Sequence, residues 1–430
     1  MMTFTALLAT ACIIATVSGS SRWTAAQRAP QDHLLDLIVA VKQDAAGVAQ
    51  LEKTLWAVSN PTSAAWGKHM TPSAIKELVA PSAVSFAAVD AWLGTVGLVG
   101  RRSGGGDFVH VTVSVAEAEK LMPGARYTAY VENEGNASRT VHRVADPATF
   151  SLPASLLDHV DFVEPTKTFP PKAASVKMPG SGNLKTDPSV LRDQYSMGDY
   201  EAKGNTFGLR NTQQVASFLA NSFSPNDLQL FFGEYYAAGK GRTVSEVIGV
   251  NNVHSPTIEG SLDVEYIMAI GANVSTVWWG TAGVRPYPGG ENEPFVTWLT
   301  AVVGGATDGT HPLSNVISVS YADEEFVVDP AFQARADVEF MKLGVMGASL
   351  FFGSGDDGVT GDHGVCPGMQ YVPWWPASSP YVTGVGATNE YNKVGASFSG
   401  GGFSNRYGIP AYQTSMVAAY VTTFIFTSSI

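Results

Sequence analysis

The chain has 430 residues, which is long enough for two domains that each bury a core. Hydrophobic residues make up 45% of it and charged residues 15%, a composition that predicts a folded protein and excludes a largely disordered one. Its 26 basic and 38 acidic residues give a net charge of -12. This balance argues against nucleic acid or an anionic membrane surface as a partner, because both need a positive footprint.

The first residues predict a secretory signal peptide over 1–19. Ala6 to Val17 is an apolar run of suitable length, small residues follow it, and it is too short to span a bilayer. A buried N-terminal helix is the alternative interpretation. Cys12 lies in this segment and would leave only Cys366 in the mature chain, which excludes a disulfide framework.

The segment that follows mixes predicted helices and strands in a way typical of a compact α+β domain. Apolar or alternating runs predict strands, and periodic runs between capping residues and breakers predict helices. The predicted strands are 34–41, 108–115 and 126–131, and the predicted helices are 45–58, 73–79, 83–93 and 116–121. A stretch rich in Pro and Lys, 164–183, predicts an exposed linker.

From Leu184 onward the pattern alternates between strands and helices. This alternation predicts an α/β domain with a parallel sheet, helices on both faces and a site at the carboxyl ends of the strands. The predicted strands are 215–219, 274–279, 316–321, 349–352 and 381–385, and the predicted helices include 259–270 and 330–343.

Two carboxylates stand four residues apart on the predicted helix 259–270. That spacing puts Glu259 and Asp263 on one helix face, about 5–6 Å apart at Cβ. Two carboxyls held close cannot both ionise easily, so one keeps a proton and its pKa rises. Such a pair can act as a general base with an orienting partner in acid. A solvated acidic helix face is the alternative.

A third carboxylate, Asp323, follows the strand NVISVSY, at the edge of the sheet where a ligand site is expected. A carboxylic acid that its surroundings keep neutral can donate a hydrogen bond to a developing oxyanion. Glu324 and Glu325 beside it leave an acidic surface loop as the alternative.

Two glycine-rich segments match no standard nucleophile or phosphate motif. Ser354 stands at a strand end where a nucleophile could lie, but it does not fit a Gly-x-Ser-x-Gly elbow and no His is placed to activate it. Residues 400–405 indicate a tight backbone segment that lines a site, because no Lys follows as a phosphate cradle requires. The eight histidines show no metal-ligand spacing, so the sequence predicts no metal site.

Several segments resemble the sedolisin family of serine-carboxyl peptidases when they are taken together. In order along the chain they are EGSLDVEYIMAIGANVST, SVSY followed by Asp323, LFFGSGDDG, PASSPYVTGVGAT and SGGGFSN. The segments SNPTSAAWGKHMT, WLGTVG, LMPGARY and HVDFV are similar to the activation prodomain of that family, and DPSVLRDQY resembles the start of its mature enzyme. The resemblance extends from residue 34 to position 413.

The resemblance implies a subtilisin-like parallel sheet flanked by helices, preceded by a ferredoxin-like prodomain. It implies that Glu259 is the general base, Asp263 the acid that orients it and Asp323 the carboxyl that stabilises the oxyanion. The implied activity is cleavage of peptide or protein substrates in acid, by analogy as tripeptides from free N-termini, with the prodomain as intramolecular inhibitor. A lysosomal, vacuolar or extracellular location is implied. Calcium is expected for a complete family member, but no calcium site is identifiable in this chain.

These inferences predict a prodomain over 20–165, a linker over 166–183 and a partial peptidase domain over 184–430. The family nucleophile lies in a Ser-Gly-Thr-Ser segment downstream of SGGGFSN, and no Gly-Thr-Ser triplet follows that block before Ile430. We therefore expect that the chain as given lacks the catalytic serine and is inactive. An inactive homologue that binds peptides or acts as an inhibitor is the alternative.

Overall fold

The computed structural model describes residues 23–132, 140–170, 186–202, 205–206, 209–281, 294–361, 371–389 and 394–427. The predicted signal peptide over 1–19, Cys366 and most of the predicted linker lie outside the described residues. Within the described ranges, no helix combines the length and the apolar character needed to cross a membrane.

The N-terminal part of the molecule contains two antiparallel sheets with helices packed on them. Its elements are β1 (Trp23–Arg28), β2 (Leu34–Val41), α1 (Ala45–Ser59), α2 (Pro72–Leu78), α3 (Ala83–Gly94), β3 (Arg101–Arg102), β4 (Phe108–Ser114), α4 (Val115–Leu121), β5 (Tyr127–Glu132), β6 (Thr140–Val144) and β7 (Val160–Glu164). The larger sheet has the strand order β3-β4-β2-β7, and the smaller has β1-β5-β6. The larger sheet and its helices form the ferredoxin-like arrangement that the sequence predicted.

The helices of this part begin where side chains cap them. Asp44, Thr71 and Ser82 each accept a hydrogen bond from a backbone N–H of the first turn. Ser114 and Glu117 form a reciprocal capping box at the start of α4. These local signals explain why the observed helices begin within one residue of their predicted positions.

The C-terminal part is built on a six-stranded sheet with the order β11-β12-β10-β13-β15-β17, in which every pair is parallel. In chain order the elements are α5 (Pro188–Gln194), β8 (Asn205–Thr206), β9 (Leu209–Arg210), β10 (Thr212–Ser217), α6 (Pro225–Tyr235), β11 (Glu246–Gly249), α7 (Ile258–Ile270), β12 (Ser275–Gly280), α8 (Pro294–Asp308), β13 (Val316–Val319), β14 (Asp323–Glu324), α9 (Pro330–Val345), β15 (Ser349–Gly353), β16 (Trp374–Trp375), β17 (Thr383–Val385) and α10 (Thr414–Thr427). The predicted parallel α/β sheet is confirmed.

The central strand β10 begins and ends earlier than the sequence predicted. Its first residues, Thr212 to Gln214, are polar but buried, so their hydropathy hides the start of the strand. Leu219 and Ala220 adopt positive φ angles of 55° and 62°, which no strand tolerates, so the strand ends before them. The sequence patterns did not predict α6, β11 and α8, because the hydrophobic patterns of these segments do not stand out from their surroundings.

The helix α9 packs against both the N-terminal and the C-terminal part of the molecule. One core cluster joins Ile38, Phe108 and Phe162 of the N-terminal sheet to Phe332 and other residues of the C-terminal part. A second cluster joins α1 and α2 to the opposite side of α9. The helix α9 therefore packs against the parallel sheet on one side and against the N-terminal part on the other.

Candidate active site

The carboxylate-bearing helix α7 is fixed at its N-terminus by a single loop. The Thr257 side chain accepts from the N–H of Gly260 at 3.1 Å and from the N–H of Ser222 at 3.2 Å. A Cβ at Gly260 would lie 2.4 Å from the Ser222 carbonyl oxygen, so only glycine allows the helix to approach this closely. The first turn, and with it Glu259, is therefore held rigidly against the loop that follows β10.

Glu259 and Asp263 are brought together, as the sequence predicted, and both are partly buried. The hydroxyl of Ser320 donates to Asp263 Oδ1 at 2.9 Å. The alternative of a solvated helix face is therefore wrong for this pair. The helix turns the two carboxyls toward the end of β13, because Ser320 directly follows that strand.

Both carboxyls of the pair hold protons more tightly than usual. Burial raises the pKa of Asp263, and the nearby charge of Glu259 raises it further. Burial likewise raises the pKa of Glu259, with a smaller upward contribution from Asp356, while the Ser320 hydroxyl lowers the pKa of both groups. The pair therefore retains a proton well above the pH at which ordinary carboxyls ionise.

The glycine-rich segments meet beside this pair. The Ser354 hydroxyl donates to the Gly400 carbonyl at 3.0 Å, and a Cβ at Gly400 would lie 1.8 Å from the Ser354 carbonyl oxygen. This close approach agrees with the prediction of a tight backbone segment. Because β13 and β15 are parallel neighbours, the loop after β15, which carries Asp356, lies at the same edge of the sheet as the loop after β13.

Asp323 lies three residues beyond Ser320, in the short strand β14, and pairs in register with Trp375 of β16. Its Oδ1 accepts the N–H of Glu324 at 2.9 Å. The residue lines a small cleft whose walls include Tyr321 and Trp375. Asp323 is thus at the carboxyl edge of the sheet, at the end of the strand that also supplies Ser320.

The end of the N-terminal part forms the opposite wall of this cleft. Thr168 and Phe169 line it together with Asp323. Glu164 accepts from the N–H of Thr166 and, at 2.9 Å, from the Thr168 hydroxyl. Glu164, Thr166 and Thr168 are buried, so the prediction of an exposed linker from Glu164 onward is wrong for most of 164–170, although Lys167 is exposed. Packing overrides the Pro- and Lys-rich composition there.

A buried ion cluster holds the N-terminal part on α9. Asp107 pairs with Arg335 at 2.8 Å and with Lys342, and both cations also contact Glu339. Burial alone would raise the pKa of Asp107, but the charges of Lys342 and Arg335 outweigh it and hold the pKa at about 2. Asp107 therefore stays ionised in moderate acid.

Sequence analysis missed three residues that organise this region. Ser320 carried one usable signal, its place at the end of a predicted strand three residues before Asp323. Asp107 carried no signal, because its partner Lys342 lies 235 residues away on α9. Glu164 carried none either, because its partners lie in a segment whose composition predicts a linker.

Comparison with known proteins follows the same division of the chain. Residues 21–169 match the family model "Pro-kumamolisin, activation domain". Tripeptidyl-peptidase 1 of Rattus norvegicus is 35% identical over 416 residues, and that of Homo sapiens is 34% identical over 417 residues; each alignment covers 93% of this chain and 70% of the relative. The structure of Pseudomonas sedolisin, a serine-carboxyl proteinase, overlaps 54% of this chain and 66% of that chain with a TM-score of 0.38 and 19% identity, too little to support an argument.

Proposed function

The chain belongs to the tripeptidyl-peptidase 1 family of sedolisin-like peptidases, and from this we propose that it gives rise to a serine-carboxyl peptidase that releases tripeptides from free N-termini in acid. That it is a peptidase precursor with an N-terminal activation domain follows from the family itself. The proposal places it in an acidic compartment of the secretory pathway or outside the cell.

The observation that supports the chemistry best is the proton-holding pair Glu259 and Asp263. In the proposed mechanism Glu259 takes the proton of the attacking serine, and Asp263 fixes the orientation of Glu259. Two coupled carboxyls can share one proton and leave the other free to act as a base; burial favours the shared proton, and the Ser320 hydroxyl orients Asp263.

We propose that Asp323, when protonated, donates to the oxyanion of the tetrahedral intermediate. Its place in a cleft at the carboxyl edge of the sheet, next to the strand end that contacts the pair, supports this role. As pH rises, Asp323 loses the proton that it would donate, and this loss lowers the rate toward neutral pH. The pair keeps its shared proton over the same range, because burial raises the pKa of both carboxyls.

The activation domain is proposed to inhibit the site directly. Thr168 and Phe169 line the Asp323 cleft, and Glu164 anchors them to the activation domain. A substrate carbonyl that reached Asp323 would have to displace this segment. Release of the domain is therefore required before peptides can bind.

The proposal assigns no residue of 1–430 as the nucleophile. The family resemblance puts that serine in a Ser-Gly-Thr-Ser segment downstream of Asn405. In the described part of the chain, no three His, Cys, Asp or Glu side chains converge, so no candidate calcium site is identified there. The proposed peptide cleavage therefore assigns no step to calcium.

The test uses the chain extended by a family-type C-terminal segment that supplies the serine. We expect the extended protein, after activation at pH 4, to cleave a tripeptide-coumarin substrate. Asp323→Ala should lose about 2.7–4 kcal/mol of transition-state stabilisation, the contribution of one oxyanion donor. Asp323→Asn keeps an amide donor at every pH, so it should lose less and depend less on pH on the alkaline side.

Two results would contradict the proposal. An Asp323→Ala protein within a few-fold of the parent at pH 4 would remove Asp323 from the mechanism. An extended protein that binds peptides without cleaving them at any pH would favour the inactive peptide-binding homologue.

A further inference from the structure

A short stretch of backbone beside the candidate active site, residues 401–403, is held at both of its ends. At the first end, the N–H of Gly400 donates to the Gly355 carbonyl at 2.8 Å, which ties the stretch to the loop after β15. Between the two ends the chain reaches solvent, because Gly402 is exposed and Phe403 is 51% exposed.

The second end is held by a buried carboxylate that has no part in the mechanism above. Glu325 stands two residues beyond Asp323 and is only 1% exposed, so the alternative of an acidic surface loop is wrong for this residue. The Ser404 hydroxyl donates to Glu325 Oε1 at 2.5 Å, and the N–H of Asn405 donates to Oε2 at 2.7 Å. One side chain therefore fixes two consecutive residues of the glycine-rich segment.

The backbone of Glu325 is itself fixed on both sides. Its N–H donates to the Pro373 carbonyl at 2.9 Å, and its carbonyl accepts from the side-chain amide of Gln333 on α9, also at 2.9 Å. One turn further along α9, Asp337 accepts the Tyr407 hydroxyl at 2.8 Å. The carboxylate thus belongs to a rigid support, and the segment after Phe403 follows it.

The hydrogen bonds at this end require two acceptors from residue 325. The Ser404 hydroxyl accepts from the N–H groups of Arg406 at 3.0 Å and Tyr407 at 2.8 Å, which uses both of its lone pairs and leaves one proton to donate. The Asn405 N–H can only donate. An ionised glutamate satisfies both donors, whereas a glutamine accepts with one atom and turns an NH₂ group toward the other donor.

We propose that Glu325 is a positioning residue, which holds the second end of the stretch 401–403 so that this backbone lines the path of a bound peptide beside Asp323. This role rests on the proposed function, because it assigns the stretch to the binding of a substrate peptide. Glu325 does not touch the reacting atoms. It acts through Ser404 and Asn405, which it holds at a fixed distance from the loop that carries Asp323.

Hydrogen exchange followed by mass spectrometry tests the anchor on the 430-residue chain and needs no turnover. In Glu325→Gln the amides of Asn405, Arg406 and Tyr407 should exchange about tenfold faster, because the glutamine cannot accept from both donors. Ser404→Ala should accelerate the same amides, since it removes the acceptor that two of them share. Ser404→Thr keeps the hydroxyl and should exchange like the parent.

The double variant Glu325→Gln/Ser404→Ala separates an anchor from two independent losses. Without the hydroxyl, the glutamine oxygen can serve Asn405 alone, so the combined acceleration should be smaller than the product of the two single effects. The control is Glu77→Gln, the same change at an exposed position of α2, which should leave these amides unchanged.

The anchor would be overturned by parent-like exchange in a folded Glu325→Gln protein, or by single effects that multiply fully in the double variant. If Glu325→Gln does not fold, Ser404→Ala and Ser404→Thr decide the question, because Ser404 is only partly buried. Parent-like exchange in Ser404→Ala, or a Thr variant that behaves like Ala, would then refute the anchor.

The effect on peptide binding is measured with Ser404→Ala in the extended protein. A displaced segment should raise KM for the tripeptide-coumarin substrate about tenfold and leave kcat within about threefold, because it weakens binding of the peptide. A variant that is merely less stable contains less active protein, so it lowers kcat and leaves KM unchanged, and that result would overturn the positioning role. If the extended parent protein cleaves no peptide, the proposed function fails, while the exchange experiment still decides whether Glu325 anchors the segment.

Discussion

At the scale of single residues, the site keeps two carboxyls where a charge is unfavourable. Glu259 lies in the first turn of α7, where the helix dipole favours an anion, yet burial dominates and raises its pKa. For a group whose pKa is raised on folding, the stability contribution is complete at low pH and is lost as pH rises through the raised value. The pair should therefore weaken the fold near neutral pH and above.

Because the raised pKa of Asp263 weakens the fold at high pH, removing its charge in Asp263→Asn should stabilise the protein there. The amide keeps an acceptor for Ser320 and removes the charge, so the variant should be more stable than the parent at pH 8 by about 2 kcal/mol. At pH 4, where the parent carboxyl is already neutral, the difference should vanish. Thermal unfolding of both proteins at the two pH values measures it, and equal gains at both would show that charge is not the cause.

At the scale of elements, the placement of Glu259 depends on how closely α7 approaches the loop after β10. Thr257 caps the helix and Gly260 lets its first turn touch the Ser222 backbone. The element is thus positioned by backbone contact rather than by a large apolar side chain. Small changes there should move the carboxyl that the helix carries.

We accordingly predict that Gly260→Ala destabilises the protein by about 1–3 kcal/mol, because the added methyl would lie 2.4 Å from the Ser222 carbonyl oxygen. The shift should also move the first turn of α7, and with it Glu259, and so change the titration of the pair. Ser261→Ala, the next residue on the helix, is the control and should have little effect. Urea unfolding gives the first readout, and a parent-like midpoint for Gly260→Ala would refute the close contact.

At the scale of the whole molecule, the activation domain is held by charges that acid does not neutralise. Asp107 keeps a pKa of about 2 beside Arg335 and Lys342, so this contact persists where the proposed enzyme works. Removing its charge would leave two buried cations with Glu339 as their shared carboxylate.

Asp107→Asn should therefore weaken the docked state by about 3–5 kcal/mol, the typical loss when one partner of a buried ion pair is removed. The effect should be similar at pH 7 and pH 4. Limited proteolysis between the two parts, with Asp32→Asn at an exposed position as control, would reveal it as faster cleavage. Cleavage at the parent rate would mean that the cluster does not hold the domain.

Acid sensitivity arises instead inside the activation domain. Burial lowers the pKa of His110 to about 4, and the charge of Arg101 adds to the effect. A base with a lowered pKa stabilises the fold fully above its unfolded value, and this stability is lost as pH falls toward the folded value.

His110→Gln should remove that loss. Between pH 6.5 and pH 4 the parent should lose about 2 kcal/mol through this residue, after allowance for its partial exposure, and the variant should lose correspondingly less. Unfolding of the full chain across this range, followed by fluorescence, measures the slope. Identical slopes would assign the acid sensitivity to other groups.

Local properties of the chain (caps, periodicity and four-residue spacing) predict the fold class, the starts of α1 to α4 and the two carboxylates on α7. The strand end that carries Asp323 was likewise predictable from an apolar run followed by acids. Folding alone brings Ser320 to Asp263, Thr168 and Phe169 to the Asp323 cleft, and Asp107 to Arg335 and Lys342. These contacts join residues far apart in sequence, and their strength comes from burial. Neither partner alone gives a signal until the chain has folded.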